Sequence, residues 1–583
     1  MNSQSKLGFG GRGCAALLVT AVCAGDVLAQ TELRSWSPNP ALDAELGASV
    51  AFVEDFDGDG RPDIATGAPL ESRGGIQWVG AAHVFSSTTG GTLLTLHHPF
   101  VTTNSTDFGR AMVCLGDLDG DATPDFVVGA PGDSMVWGQG GRVIAYSGAS
   151  ASRLWDVGHA MFEYGRLGQS LARIEDLDGD GVDDVLAGAP FRNGTGIVLA
   201  LSGVTGLEIY RLQGTRPSEE FGQVVLTLPD IDGDGVQDIA VGAPGYEPPL
   251  NFPVEGRVLL YSGQTGQLIR RVYPANLHEA RFGSAVAALS DLDGDGIVDL
   301  AIGAPGEIVS APFTSGAVRV HSTGSGQELM SIMAPTGHAL FGSALASAGD
   351  IDGDGWIDLA AGTARSGTAG ALTVHSGVAG DLLFRVDGLA DEYLGSAVVG
   401  GTDVDGDGRP EVLVGGESAY TPNFFKAHGI VRLLSRDPAN GEAVCFGAVN
   451  STGDRGHLES SGSLDLASND LRLRATGLPS NVPGLVLTSR GFGLVPNPVT
   501  AGVASDGTLC IAGAPIGRSA VLFAGAAGAA QLTVDLAAIP DPTSPTYASA
   551  AMAGETWHWQ LWYRDPASSG GSNFTDAVAV SFP

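Results

Sequence analysis

A chain of 583 residues is long enough to bury one large core and a second, smaller one, so two domains are expected. Its formal net charge of −35 excludes nucleic acid as a partner, because phosphate binding needs a basic surface, and fits cation binding instead. Lysine occurs only as Lys6 and Lys426, so nearly all positive charge is arginine.

Residues 1–29 read as a signal peptide. Lys6 and Arg12 supply the positive start, Cys14 to Cys23 an apolar stretch, and Val27-Leu28-Ala29 a small-residue cleavage site. The apolar stretch is too short to span a bilayer, and no later segment offers eighteen consecutive apolar residues. The expectation is export, to a secreted, extracellular or cell-surface location, with no transmembrane segment.

From residue 30 to 437 the chain repeats itself. The pattern D-x-D-G-D-G-x-x-D begins at Asp55, Asp117, Asp176, Asp230, Asp291, Asp350 and Asp403, with Ala and Glu variants noted below. The starts are 53 to 62 residues apart. Eight residues before each start stands a glycine after Phe or Leu: Gly47, Gly109, Gly168, Gly222, Gly283, Gly342 and Gly395. Twelve residues after it stands another: Gly67, Gly129, Gly188, Gly242, Gly303, Gly362 and Gly415. Fixed offsets inside units of varying length mean one rigid element copied seven times.

Each unit holds four short apolar runs bounded by Gly, Pro, Asn and Asp, which read as strands, and no helical periodicity of useful length. Seven units of four strands predict an all-β, seven-bladed β-propeller. The seventh unit lacks its own fourth strand, whereas Thr31 to Trp36 resembles one. The N-terminal strand is therefore expected to complete blade seven and close the ring.

The loops offer carboxylates at positions 1, 3, 5 and 9 and a backbone carbonyl at position 7. Five are complete: Asp55, Asp57, Asp59, Asp63; Asp176, Asp178, Asp180, Asp184; Asp230, Asp232, Asp234, Asp238; Asp291, Asp293, Asp295, Asp299; and Asp350, Asp352, Asp354, Asp358. The second, Asp117, Asp119, Asp121, Asp125, has Ala122 at position 6; the seventh, Asp403, Asp405, Asp407, ends in Glu411. These two are expected to bind most weakly. Hard oxygen ligands at alternate positions suit calcium, up to seven ions with one per blade, rather than zinc, which prefers His and Cys. An EF-hand is excluded: position 12 is Thr66, Val128, Ala187, Val241, Ile302, Ala361 or Val414, never the required Glu. The loops hold 28 of the 65 acidic residues, and the remainder nearly balances the 30 bases.

Phe-Gly, then the acidic loop, then Gly-Ala-Pro in the first five units, together resemble the FG-GAP repeats of the integrin alpha-subunit N-terminal propeller and of many secreted bacterial proteins. The resemblance implies a seven-bladed propeller with calcium in the hairpins between first and second strands. Units six and seven depart from the third motif, reading Gly362-Thr363-Ala364 and Gly415-Gly416-Glu417.

The loops between second and third strands vary in length, which is where a scaffold displays recognition. Trp137, Tyr246, Phe252, Phe313, Tyr420, Phe424 and Phe425 are candidates for an aromatic surface facing an extracellular protein or glycan, unless they pack locally. Residues 441–583 lack acidic repeats but stay β-like, notably Thr556 to Tyr563, and are expected to form a β-sandwich-like domain of uncharacterised role. Cys445 and Cys510 are the expected disulfide pair, while Cys114 reads as a small buried hydrophobe.

No H-E-x-x-H, G-x-S-x-G or phosphate loop is present, so catalysis is not expected. The functional expectation is a calcium-binding extracellular binding or adhesion module. The alternative is an exported hydrolase or lyase acting on polysaccharide or lipid from a propeller scaffold.

Overall fold

The computed structural model describes residues 31–37, residues 44–435 apart from short loops, and a set of strands and turns between 442 and 581. The expected signal peptide, the side chains of Cys445 and Cys510, and every recognition candidate except Tyr246 lie outside the described residues.

Within residues 31–435 there are seven four-stranded antiparallel sheets. Six are consecutive meanders, at 49–97, 112–158, 170–213, 224–272, 286–333 and 344–387. In the fourth, for example, Val224–Leu228, Asp238–Ala243, Arg257–Tyr261 and Leu268–Val272 pair in that order. The seventh joins Leu394–Thr402, Glu411–Gly416 and Ile430–Ser435 to Thr31–Trp36, the fourth strand predicted to come from the N-terminus. Each sheet's first strand touches that of the next, and Leu394–Thr402 touches Ser49–Val53, so the first strands form a closed inner ring. The fold is the β-propeller expected from the repeats.

The second strands show why the sequence folds this way. Asp63–Ala68, Asp125–Ala130, Asp184–Ala189 and Asp238–Ala243 are buried at every residue, sandwiched between neighbouring blades, and so read as apolar runs rather than alternating ones. The core is a series of inter-blade layers: Leu115, Val127 and Val143 pack with Val185, Ala187 and Leu199 of the next blade. The two glycines of the repeat meet across these layers. A Cβ on Gly188 would overlap the Gly222 carbonyl, one on Gly303 the Gly342 carbonyl, and one on Gly415 the Gly47 carbonyl. Only glycine permits that backbone approach.

In the C-terminal region a five-stranded sheet is ordered Glu442–Cys445, Ser572–Ser581, Thr556–Arg564, Pro483–Ser489, Gly517–Phe523. A three-stranded sheet comprises His457–Ser461, Arg472–Thr476 and Ala530–Thr533. One apolar cluster joins Leu458 and Leu473 of the smaller sheet to Val486, Trp557, Trp559, Leu561 and Tyr563 of the larger. Trp557, Trp559, Leu561 and Tyr563 share the face packed in this cluster, and Gln560 between them is buried as well, beside a bulge in the strand. Among the described residues the sole helical element is a short 3₁₀ turn at Arg192–Gly194.

Candidate metal centres

Each acidic loop closes the hairpin between the first and second strands of a blade. In the fourth, Asp230 Oδ1 accepts the Gly233 and Asp234 N–H groups at 2.6 and 3.2 Å, and its Oδ2 accepts the Gly235 N–H at 2.8 Å. Asp232 and Asp234 each accept the N–H two residues on, from Asp234 at 3.1 Å and Val236 at 3.0 Å. The backbone is thereby wound around its own side chains, with the remaining carboxylate oxygens turned to one point. The winding recurs in all seven loops, as in the bonds from Gly58, Gly120, Gly179, Gly294, Gly353 and Gly406 to the first Asp of their loops.

Position 6 must turn through the left-handed region. Gly60, Gly181, Gly235, Gly296, Gly355 and Gly408 have φ of 88° to 91°, and Ala122 holds +70° in the second loop. Ala122, in a loop expected to bind weakly, thus carries backbone strain on the order of 1 kcal/mol.

Position 9 differs in kind. Asp63, Asp125, Asp184, Asp238, Asp299, Asp358 and Glu411 are fully buried, whereas the first and third carboxylates lie mostly at the surface. Asp238 Oδ2 accepts the Ile231 N–H at 2.7 Å and its Oδ1 accepts the Gly263 N–H at 3.1 Å. In blades one to six the second bond comes from the turn between third and fourth strands: Ser87, Gly148, Gly203, Gly263, Thr323 and Gly377. In blade seven the fourth strand is supplied by the N-terminus, and among the described residues no backbone N–H is bonded to Glu411 Oε1, while Ser435 lies beside the carboxyl.

Burial and hydrogen bonding push the loop acids in opposite directions. The backbone N–H of position 6 is the main cause that lowers the carboxyls of Asp117, Asp176 and Asp230 below the usual range. Burial raises position 9, taking Asp184 to about 6 and Asp358 and Glu411 to about 7. A nearby cation would favour the charged form of both.

In each of the first five loops, three of the four carboxylates expected as ligands lie together. In the first three loops, positions 1, 3 and 9 present oxygens within 4.8 Å of one another: Asp55, Asp57, Asp63; Asp117, Asp119, Asp125; Asp176, Asp178, Asp184. In the fourth and fifth loops positions 1, 3 and 5 do so: Asp230, Asp232, Asp234; Asp291, Asp293, Asp295. All-oxygen donor sets of this spacing fit a hard divalent cation.

A contributor absent from the sequence reading is the third-to-fourth-strand turn, which lies beside the loop. Ser262 Oγ donates to Asp234 Oδ2 at 3.0 Å, and Ser147 Oγ lies 3.4 Å from Asp121 Oδ2. A serine does recur there, as Ser86, Ser147, Ser202, Ser262, Ser322 and Ser376. Its offset from the acidic loop varies with the intervening loop, so a fixed-spacing search misses it.

On the opposite face, Tyr246 packs locally: it is 7% exposed and lies under the Arg257 guanidinium, 4.1 Å from the ring centroid. Arg257 is itself paired with buried Glu219. Where the first strands begin, Arg110 of blade two is ion-paired with Glu417 of blade seven, reaching past Glu45 of blade one. Burial and the neighbouring Glu417 raise the Glu45 carboxyl to about 7, opposed by Arg110.

Four stretches, residues 46–85, 167–201, 221–261 and 282–321, match the family model of the FG-GAP repeat. Over 42% of its length the chain is 31% identical to integrin alpha-4 of Xenopus laevis, covering 24% of that protein. It is 34% identical to integrin alpha-2 of Mus musculus over 36% of this chain and 18% of that one. With integrin alpha-PS2 of Drosophila melanogaster the identity is 32% over 34% of this chain and 15% of the other. The chain thus spans about a quarter or less of these relatives' length.

Proposed function

We propose, from the premise that this chain is an integrin-alpha-like FG-GAP repeat protein, that it is an extracellular binding or adhesion module whose propeller is stabilised by calcium. The propeller domain would span 30–437 and a separate β-sandwich-like domain 441–583. The observation that carries the reading is the convergence of loop carboxylates, exemplified by Asp55, Asp57 and Asp63, on points that need a cation to offset their mutual repulsion. Positions 1, 3, 5 and 9 of each loop would hold the ion, with the position 7 carbonyl. Calcium supplies charge neutralisation and a cross-link between first and second strands. These residues orient the carboxylates through backbone N–H bonds and tie them to the next hairpin.

Recognition would fall to the opposite face, whose second-to-third-strand loops differ in length from blade to blade. No helix among the described residues is long and apolar enough to cross a membrane. The test is thermal melting across calcium concentration, paired with a glycan array and cell-surface binding with and without chelator. A rise in melting temperature with calcium and chelator-sensitive binding are expected. Identical melting in strong chelator would overturn the calcium reading.

A further inference from the structure

The seventh loop has a cation laid across it by the first loop. Arg61, position 7 of the first loop, extends across the seam and donates from Nη1 to the carbonyl of Val404, position 2 of the seventh loop, at 3.2 Å. Its guanidinium lies over the turn: a Cβ on Gly406 would be 3.8 to 3.9 Å from the Arg61 guanidinium atoms. Asp405, at position 3, is half-buried, as is Asp352 in the sixth loop, while Asp57, Asp119, Asp178, Asp232 and Asp293 are exposed.

Position 7 is uncharged in the second to sixth loops, with Thr123, Val182, Val236, Ile297 and Trp356, and is again arginine, Arg409, in the seventh. Val182 shows the ordinary role, packing against the cluster that contains Leu118 of the preceding blade. Arg61 occupies the corresponding place at the one seam where the ring is closed by two ends of the chain. Among the described residues no hairpin N–H clips position 9 of that seam's loop as it does elsewhere.

We infer that Arg61 acts as a resident counter-charge for the seventh loop, keeping it folded without calcium and weakening its affinity for the ion. The inference rests on the reading of the loops as calcium sites. A fixed positive charge beside a carboxylate cluster neutralises part of the repulsion that calcium would otherwise relieve, and repels the incoming dication. The closing seam would then remain joined when calcium falls and the other loops empty.

The experiment compares the full chain with Arg61→Met, Arg61→Lys and Asp403→Asn by calcium isotherms and by melting in chelator, at low salt. The class of sites lost in Asp403→Asn identifies the seventh loop. Arg61→Met should tighten that class by about tenfold, and about 0.5 M salt should shrink the gain by screening. The same variant should melt lower than wild type in chelator, while Arg61→Lys, which keeps the charge, should restore both properties. Should Arg61→Met not fold, Arg61→Gln removes the charge but leaves a donor for the Val404 carbonyl. Equal loss of melting temperature with and without calcium, at unchanged affinities, would make Arg61 a strut only and overturn the proposal. Absence of calcium uptake by wild type would instead overturn the loop reading on which it stands.

Discussion

Blade four and blade seven are built from the same repeat, yet one is continuous in the chain and the other is assembled from its two ends. In blade four, Asp238 is clipped on both oxygens, by Ile231 and by Gly263 of the following hairpin. In blade seven, Glu411 accepts the Val404 N–H, and among the described residues its other oxygen has no backbone N–H, the fourth strand being Thr31–Trp36. The N-terminal strand brings other ties: Trp36 Nε1 donates to Gly90 O at 3.2 Å, and Arg34 Nε to Ser87 O at 3.0 Å, both in blade one. Repetition therefore sets six blades, while the seventh is a joint whose local contacts were rebuilt around closure.

The largest expected effect breaks that joint. Deleting residues 31–37 removes buried Trp36 and half-buried Leu33 from the seam cluster and exposes the edge of Ile430–Ser435. Loss on the order of 4 kcal/mol is expected, read as a lower and broader melting transition. An unchanged transition would show that closure does not depend on this strand.

Next come the seam glycines. Gly188→Ala and Gly415→Ala each force a methyl onto a carbonyl of the neighbouring blade, Gly222 and Gly47 respectively, at a cost on the order of 3 kcal/mol. Denaturant melts that find Gly188→Ala costly and Gly415→Ala mild would mean that the closing seam yields where the others do not.

A smaller effect reports on charge at the same seam. The Glu45 carboxyl, faced by Glu417, Asp107 and Arg110, has a folded-state value of about 7, raised from 4.5. Its contribution is therefore full below 4.5 and lost as pH rises through 7. Glu45→Gln removes this loss, so the variant should gain on wild type by roughly 2 kcal/mol at pH values above that range, with the advantage fading toward the acid side. A difference independent of pH would place the cause elsewhere. The mildest prediction belongs to an ordinary blade: Ala122→Gly should stabilise by about 1 kcal/mol by relieving the +70° backbone angle.

How far the sequence could be read depended on the range of the interactions. The acidic ligands were legible because nine consecutive residues carry all of them and their N–H bonds span two to seven positions. The glycines at −8 and +12 were legible as a pattern, but not as partners: Gly188 accepts the Gly168 N–H of its own blade and packs its Cα against the Gly222 carbonyl of the next. Thr31–Trp36 was identified by counting strands, since six complete units and one short one leave a single place for it. The N–H from Gly263 to Asp238 was not legible, because it bridges 25 residues across a loop of variable length. Nor was the burial of Tyr246, whose cover, Arg257 with Glu219, is brought together only in the folded blade.

The amino-acid sequence by itself determined the all-β repeat and the number of acidic turns, because each follows from residues close along the chain. Only the tertiary structure decided which glycine faces which, how the buried acid of each loop is clipped, and that Arg61 lies across the seventh loop. Those contacts join adjacent blades, and the geometry between blades arises when the ring closes.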